Sequence, residues 1–161
     1  MSEVTQDEMS QLGALLREHE IKALIARHKP QTLDIKFNAQ RLDRNSLAAS
    51  FPRISTAGPY FITLSPLLLE WGLTDRISFS TVILHELGHV IDRVKNWTRY
   101  VSTDPLNYPE NLEYEADDFV VACGWREGLI ETLRLAITCG REHGIPEGMA
   151  GKRLSRFLNG G

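Results

Sequence analysis

The 161-residue sequence predicts an α+β fold, with an N-terminal helix, a small mixed sheet and a mostly helical C-terminal half. Three observations lead there. Apolar residues recur at helical spacing along residues 4–26, 77–94 and 127–140. Leu33, Ile35 and Phe37 alternate with Thr32, Asp34 and Lys36, the pattern of a half-buried strand. The composition, 42% hydrophobic and 24% charged, is ordinary for a globular chain of a size that can bury a core. One domain spanning residues 1–161 is expected at this length.

The first helix is expected from Val4 to Ala26, anchored by Leu12, Leu15, Leu16, Leu24 and Ile25 and closed by Pro30. His19 and His28 read as surface or capping groups. After the strand at 32–37, the stretch Arg53 to Leu64 predicts a hairpin turning at Ala57-Gly58-Pro59, with Tyr60 to Leu64 as its better strand. Leu67, Leu68 and Leu69 start a short helix that stops at Gly72. Thr74 or Asp75 then caps a helix from about Ile77 to Val94. Lys95 to Pro109 is a polar loop studded with Trp97, Tyr100 and Tyr108, either a connector or a cleft wall. A helix from near Leu112 to Ala122 is interrupted at Gly124. Another runs from Glu127 to Gly140 with Leu129, Ile130, Leu133 and Ile137 as its core. From Pro146 the tail is weakly helical and basic, carrying Lys152, Arg153 and Arg156.

Several function classes are disfavoured. A net charge of −3 argues against a dedicated nucleic-acid binder. No stretch approaches the roughly 18 consecutive apolar residues of a membrane span. The acidic start, Met1 to Asp7, lacks the basic and apolar regions of a signal peptide, so a cytoplasmic location is expected. Cys123 and Cys139 lack CxxC partners and read as buried thiols in a reducing compartment.

The chemistry is concentrated in His85-Glu86-Leu87-Gly88-His89. Two histidines four apart lie one turn above one another on a helix and can share one zinc ion. Glu86 is then placed to act as general base on a water activated by the metal. Phe79, Ile83, Leu87, Val90, Ile91 and Val94 form a stripe nearly opposite His85 and His89, so the imidazoles are expected to face outward into a groove. A catalytic zinc needs a third protein ligand. Glu113 is the candidate, and Asp117, one turn later, is placed to accept the second N–H of a ligating histidine. Ala116 is small enough for close packing on the first helix. Asp92 shares the ligand face but lies about 10 Å along the axis from His85, too far to converge on one ion. Glu115 is the more serious rival to Glu113 and lacks an acidic group four residues later.

This pair of motifs resembles the gluzincin metallopeptidases, with HExxH on one helix, a zinc-binding Glu on the next and an acidic residue four later. Glu113-Tyr114-x-Ala116-Asp117 and Thr81 to His89 are similar to elements of the HtpX-type and CAAX-prenyl endopeptidase family. Tyr60 to Leu68 looks like the strand and short helix that precede them. The ImmA/IrrE-like peptidases are a second resemblance. The match covers roughly residues 58–138 and departs from the membrane-embedded relatives in having no spanning helix. The resemblance implies a zincin-like domain and a zinc-dependent endopeptidase, with zinc on His85, His89 and Glu113 and a protein or peptide as substrate. It also implies a substrate strand pairing with an exposed edge, for which Tyr60 to Leu64 is the candidate. Tyr100, Tyr108, Tyr114, Arg126 and His143 are open candidates for stabilising the oxyanion. Two rival readings are a non-catalytic zinc-binding interaction module and a regulatory protease dedicated to one partner.

Overall fold

The computed structural model describes residues 3–42, 46–51, 58–142, 144 and 148–159. Its architecture is mixed α+β, a three-stranded sheet with seven α-helices among the described residues.

The N-terminal region is two helices rather than one. α1 (Gln6–Glu18) begins with a reciprocal capping box between Thr5 and Glu8. Glu20 then takes a left-handed conformation, φ 52°, and α2 (Ile21–His28) starts in a new direction. The reason lies in the burial pattern. At about 100° per residue, Ile21 and Leu24 would face away from Leu12 and Leu15 in a continuous helix. The break lets both apolar faces reach the same core. His19, at the break, is buried rather than a surface group, and its Nε2 lies 2.8 Å from the Gly72 carbonyl oxygen. His28 ends α2 and is half-buried.

The sheet has the order β1-β3-β2, formed by β1 (Ile35–Ala39), β2 (Ala48–Phe51) and β3 (Tyr60–Leu64). β1 pairs with β3 in parallel, Ile35 opposite Tyr60, and β2 pairs antiparallel, Phe51 opposite Phe61. Tyr60 to Leu64 is therefore the central strand, which overturns its expected place at the edge. Its nearly continuous apolar run fits a strand covered on both faces. The edge next to the candidate site is β2, whose Ala-Ala-Ser-Phe sequence gives little strand signal. The hairpin partner thus lies upstream of the expected segment, whose residues 53–57 fall outside the described residues.

α3 (Pro66–Thr74) runs two residues past Gly72. A Cβ on Gly72 would lie 2.9 Å from the side chains of both Leu15 and Phe79, so glycine lets α3 fit between these neighbours. Asp75 caps α4 (Arg76–Lys95), its side chain accepting from the Ser78 N–H at 2.8 Å. α4 is the axis of the molecule, packed on α3, α5, α6 and β2. Burial extends around it and takes in Ser78, Thr81, His85, Glu86 and His89. The expected stripe lies in the core from Phe79 to Ile91, but the histidine face is not open. The imidazoles are enclosed, whereas Ile77 and Val94 at the helix ends are exposed.

The 95–109 connection contains a 3₁₀ turn, Trp97–Tyr100, and folds back so that Tyr100, Tyr108 and Leu112 form a small second core. Trp97 stays exposed. α5 (Glu110–Ala122) and α6 (Arg126–Glu142) are joined through Gly124, whose φ of +89° marks the break. α7 (Gly148–Leu158) packs across α5 and α6 and has no fully buried residue. Cys123 and Cys139 are half-buried and not joined, rather than the buried thiols expected. No helix among the described residues is long and apolar enough to cross a membrane.

Candidate metal centre

α4 and α5 approach closely at Gly88. A Cβ there would stand 3.1 Å from Phe119 of α5. The missing side chain lets α5 settle onto α4 one residue from His89, and Ala116 is buried on the facing side of α5. Glu113 thereby reaches both ring nitrogens.

Three donor groups converge. His85 Nε2 and His89 Nε2 are 3.1 Å apart. Glu113 Oε1 is 2.9 Å from His89 Nε2, and Glu113 Oε2 is 3.5 Å from His85 Nε2. Zinc bonds of about 2.0–2.1 Å in a tetrahedral arrangement separate donor atoms by roughly 3.3 Å. The observed spacings straddle that value, and the two-nitrogen, one-carboxylate donor set suits the ion. His85, His89 and Glu113 could therefore hold one metal ion between them.

A further set of groups holds these donors. His85 Nδ1–H donates to Asp117 Oδ1 at 2.9 Å, which turns Nε2 toward the donor cluster. Asp117 is wholly buried, 0% exposed, and would be a costly isolated charge. Its counter-charge comes from α7. Arg153 donates from Nε to Asp117 Oδ2 at 2.8 Å and from Nη2 to Oδ1 at 2.7 Å. Arg153 Nη1 also lies 3.4 Å from Glu113 Oε2. Sequence reasoning saw only a basic tail here. The available signal was chemical: a buried Asp that orients a histidine needs a second, cationic partner.

The electrostatics separate the groups. Burial holds His89 down at about 4, hence neutral. Burial and Arg153 also oppose charge on His85, but Glu113 and Asp117 outweigh them and push it up to about 10. Burial acts to raise Glu113, yet His85, His89 and Arg153 keep it well below the usual carboxylate range. Glu86 moves the other way. Burial is the main cause that lifts it to about 7, with His85 and Ser50 acting against the rise. Glu86 is only 7% exposed, and its Oε2 has no hydrogen-bond partner among the described residues.

His85, Glu86 and Glu113 line a cavity of about 270 Å³. Leu47 and Ala48 form one wall, Leu129 and Leu133 of α6 another, and Arg153 of α7 a third. Tyr108 also lines it and stacks on the His89 ring, with centroids 4.0 Å apart. The 95–109 connection therefore supplies part of the cavity wall. The Tyr108 hydroxyl is already engaged, receiving a bond from Arg93 at 2.9 Å and donating to the Ser50 carbonyl at 3.2 Å. The other oxyanion candidates lie elsewhere. Tyr100 bonds to Asp92, Tyr114 to Glu110, and Arg126 to the Phe157 carbonyl. His143 is outside the described residues. Asp92 is tied to Tyr100 and Asn96, away from the donor cluster. Glu115 pairs with Arg99 at 2.6 Å and is 48% exposed on its side chain. Among the described residues, the group placed to hold a metal is His85, His89 and Glu113.

No protein-family model, curated protein or solved structure matches this chain.

Proposed function

We propose that this protein is a zinc-dependent endopeptidase with a zincin-like fold and a protein or peptide as its substrate. The observation that carries the reading is Glu86. It is a buried carboxylate with a partnerless oxygen, on the wall of the same cavity as two of the converging donors. A purely structural metal site has no use for such a group.

Zinc held by His85, His89 and Glu113 would supply Lewis acidity to a water and to the scissile carbonyl. Glu86 accepts the proton of the attacking water and returns it to the departing amine. Asp117 holds the His85 ring by its Nδ1–H and keeps that tautomer. Tyr108 stacks on His89 and limits its rotation. An extended substrate would pair with the β2 edge, because Leu47 and Ala48 stand at the cavity wall.

Glu86→Gln tests the reading. The amide keeps the shape but cannot accept the proton. The variant should fold and bind zinc as the wild type does, while hydrolysis drops by on the order of 10²–10⁴-fold. It should also retain substrate and so capture it from a lysate. Cleavage of that captured protein by the wild type, followed by mass spectrometry of the new termini, is the decisive assay. An equally active Glu86→Gln protein removes the mechanism. Capture without cleavage by the wild type supports a binding module instead.

A further inference from the structure

The C-terminal helix enters the centre through one side chain, and the bonds of that side chain define a role. We propose that Arg153 is a positioning residue of the metal centre, fixing the orientation of two ligands, His85 and Glu113, from a helix that carries no ligand itself. The inference rests on the metal-site reading above.

All three guanidinium nitrogens are directed at carboxylates. Nε and Nη2 grip the two oxygens of Asp117 at 2.8 and 2.7 Å, the paired geometry that suits a planar fork. Nη1 is 3.4 Å from Glu113 Oε2. The side chain is 16% exposed, so solvent does little to replace these partners. With both oxygens gripped, the Asp117 carboxylate cannot rotate about its final bond. Oδ1 then stays opposite His85 Nδ1, and His85 keeps Nε2 directed at the donor cluster.

The Asp117 carboxylate, held by that guanidinium, places a proton on His85 Nδ1. Arginine only donates hydrogen bonds. Its Nη2 lies 3.3 Å from His85 Nδ1, and both groups meet Asp117 Oδ1. Two donors sharing one ionised acceptor is a satisfied arrangement, whereas a bare Nδ1 facing that carboxylate at 2.9 Å would be repelled. Nδ1 therefore carries the proton. Arg153 is not free to anchor a substrate carboxylate, because its nitrogens are committed. Lysine could not substitute, since an ammonium is a point charge and cannot match a forked, two-pronged grip on Asp117 while reaching Glu113.

Full-length Arg153→Met, Arg153→Lys and Arg156→Met chains distinguish this role from mere docking of the helix. Arg156 sits on the same helix and pairs with the exposed Asp118, outside the cavity. Zinc affinity is read by competition with a chromophoric chelator. The ligand-field spectrum of the cobalt-loaded protein is read alongside it. Arg153→Met should lower zinc affinity on the order of 10–100-fold, the usual cost of losing a group that orients a ligand. Arg153→Lys should lose affinity too and should shift the cobalt bands. Arg156→Met should stay within about twofold of wild type with an unchanged spectrum. In an Asp117→Asn background the Arg153→Met effect should shrink, since the two act as one unit. If Arg153→Met does not fold, Arg153→Lys carries the test alone. Unchanged affinity and spectrum in Arg153→Lys would overturn the proposal. So would equal losses in Arg153→Met and Arg156→Met, or fully additive effects with Asp117→Asn. A wild type that binds no zinc would instead sink the metal reading itself.

Discussion

α4 and α7 bring side chains to the same two carboxylates, but by opposite means. α4 lies in the middle of the molecule, and its motif residues are fixed because its central turns are buried among α3, α5, α6 and β2. α7 lies across the outside with no fully buried residue. Its hold depends on half-buried contacts from Ala150, Leu154 and Phe157, and on the ion pairs of Arg153 and Arg156. The core thus sets where the donor atoms are, and the perimeter sets which way they point. Changes to α4 should therefore register in both folding and metal binding. Changes to α7 should cost less in folding, and should register in metal binding only where they touch Arg153.

The largest effect should come from the donors. His85→Ala, His89→Ala and Glu113→Ala should each abolish stoichiometric zinc binding, measured as about one metal per chain in the wild type. Glu115→Ala should keep it, and the opposite pattern would reassign the third ligand. Next comes the core. Ile83→Ala, at a fully buried position of α4, should cost about 2–5 kcal/mol in a urea titration. Leu154→Ala on α7 should cost about 1 kcal/mol, in proportion to the smaller area it removes from water. Equal costs would erase the contrast between the two helices. Removing the α4 cap by Asp75→Ala should cost about 1 kcal/mol.

The pH dependence follows from His85. Its folded value, about 10, lies above the ordinary histidine range, so the metal-free protein carries a proton there at neutral pH. Zinc must displace it. Affinity should therefore climb as pH rises from 7 toward 10, and about one proton should leave per zinc bound. Calorimetry in buffers of different ionisation enthalpy measures that number directly. The same raised value stabilises the metal-free fold below the unfolded histidine range, a contribution lost as pH rises through 10. The smallest effect belongs to Arg156→Met, under about 1 kcal/mol, because Asp118 is 60% exposed and solvent screens the pair.

The α4 motif, the α5 residues that face it and most helices were legible because their signal is local. Spacing of three or four residues fixes which side chains share a face, and Asp75 names its own helix start. What was illegible depended on distant parts of the chain. Nothing near Arg153 says that it meets Asp117, 36 residues earlier. β2 was missed because Ala48 and Ala49 are small, and the strand exists only through its pairing with β3. The apolar pattern of residues 4–26 looked like one helix, because a period alone does not reveal that two phases half a turn apart are present. The expectation of an outward histidine face assumed a helix at the surface, and tertiary packing overrode it.

The burial of α4 has a thermodynamic consequence. Glu86, Asp117, His85 and His89 sit in the interior beside Glu113, so the desolvation of several ionisable groups falls on the fold itself. A cation bound at their centre would offset that cost in the native state, and it would find no equivalent site in the unfolded chain. Zinc would then act as a thermal stabiliser as well as a reagent. At a free concentration 100 times its dissociation constant it would add about 2.7 kcal/mol. The melting temperature would become a gauge of metal supply, and chelation would leave a softer, more protease-sensitive protein.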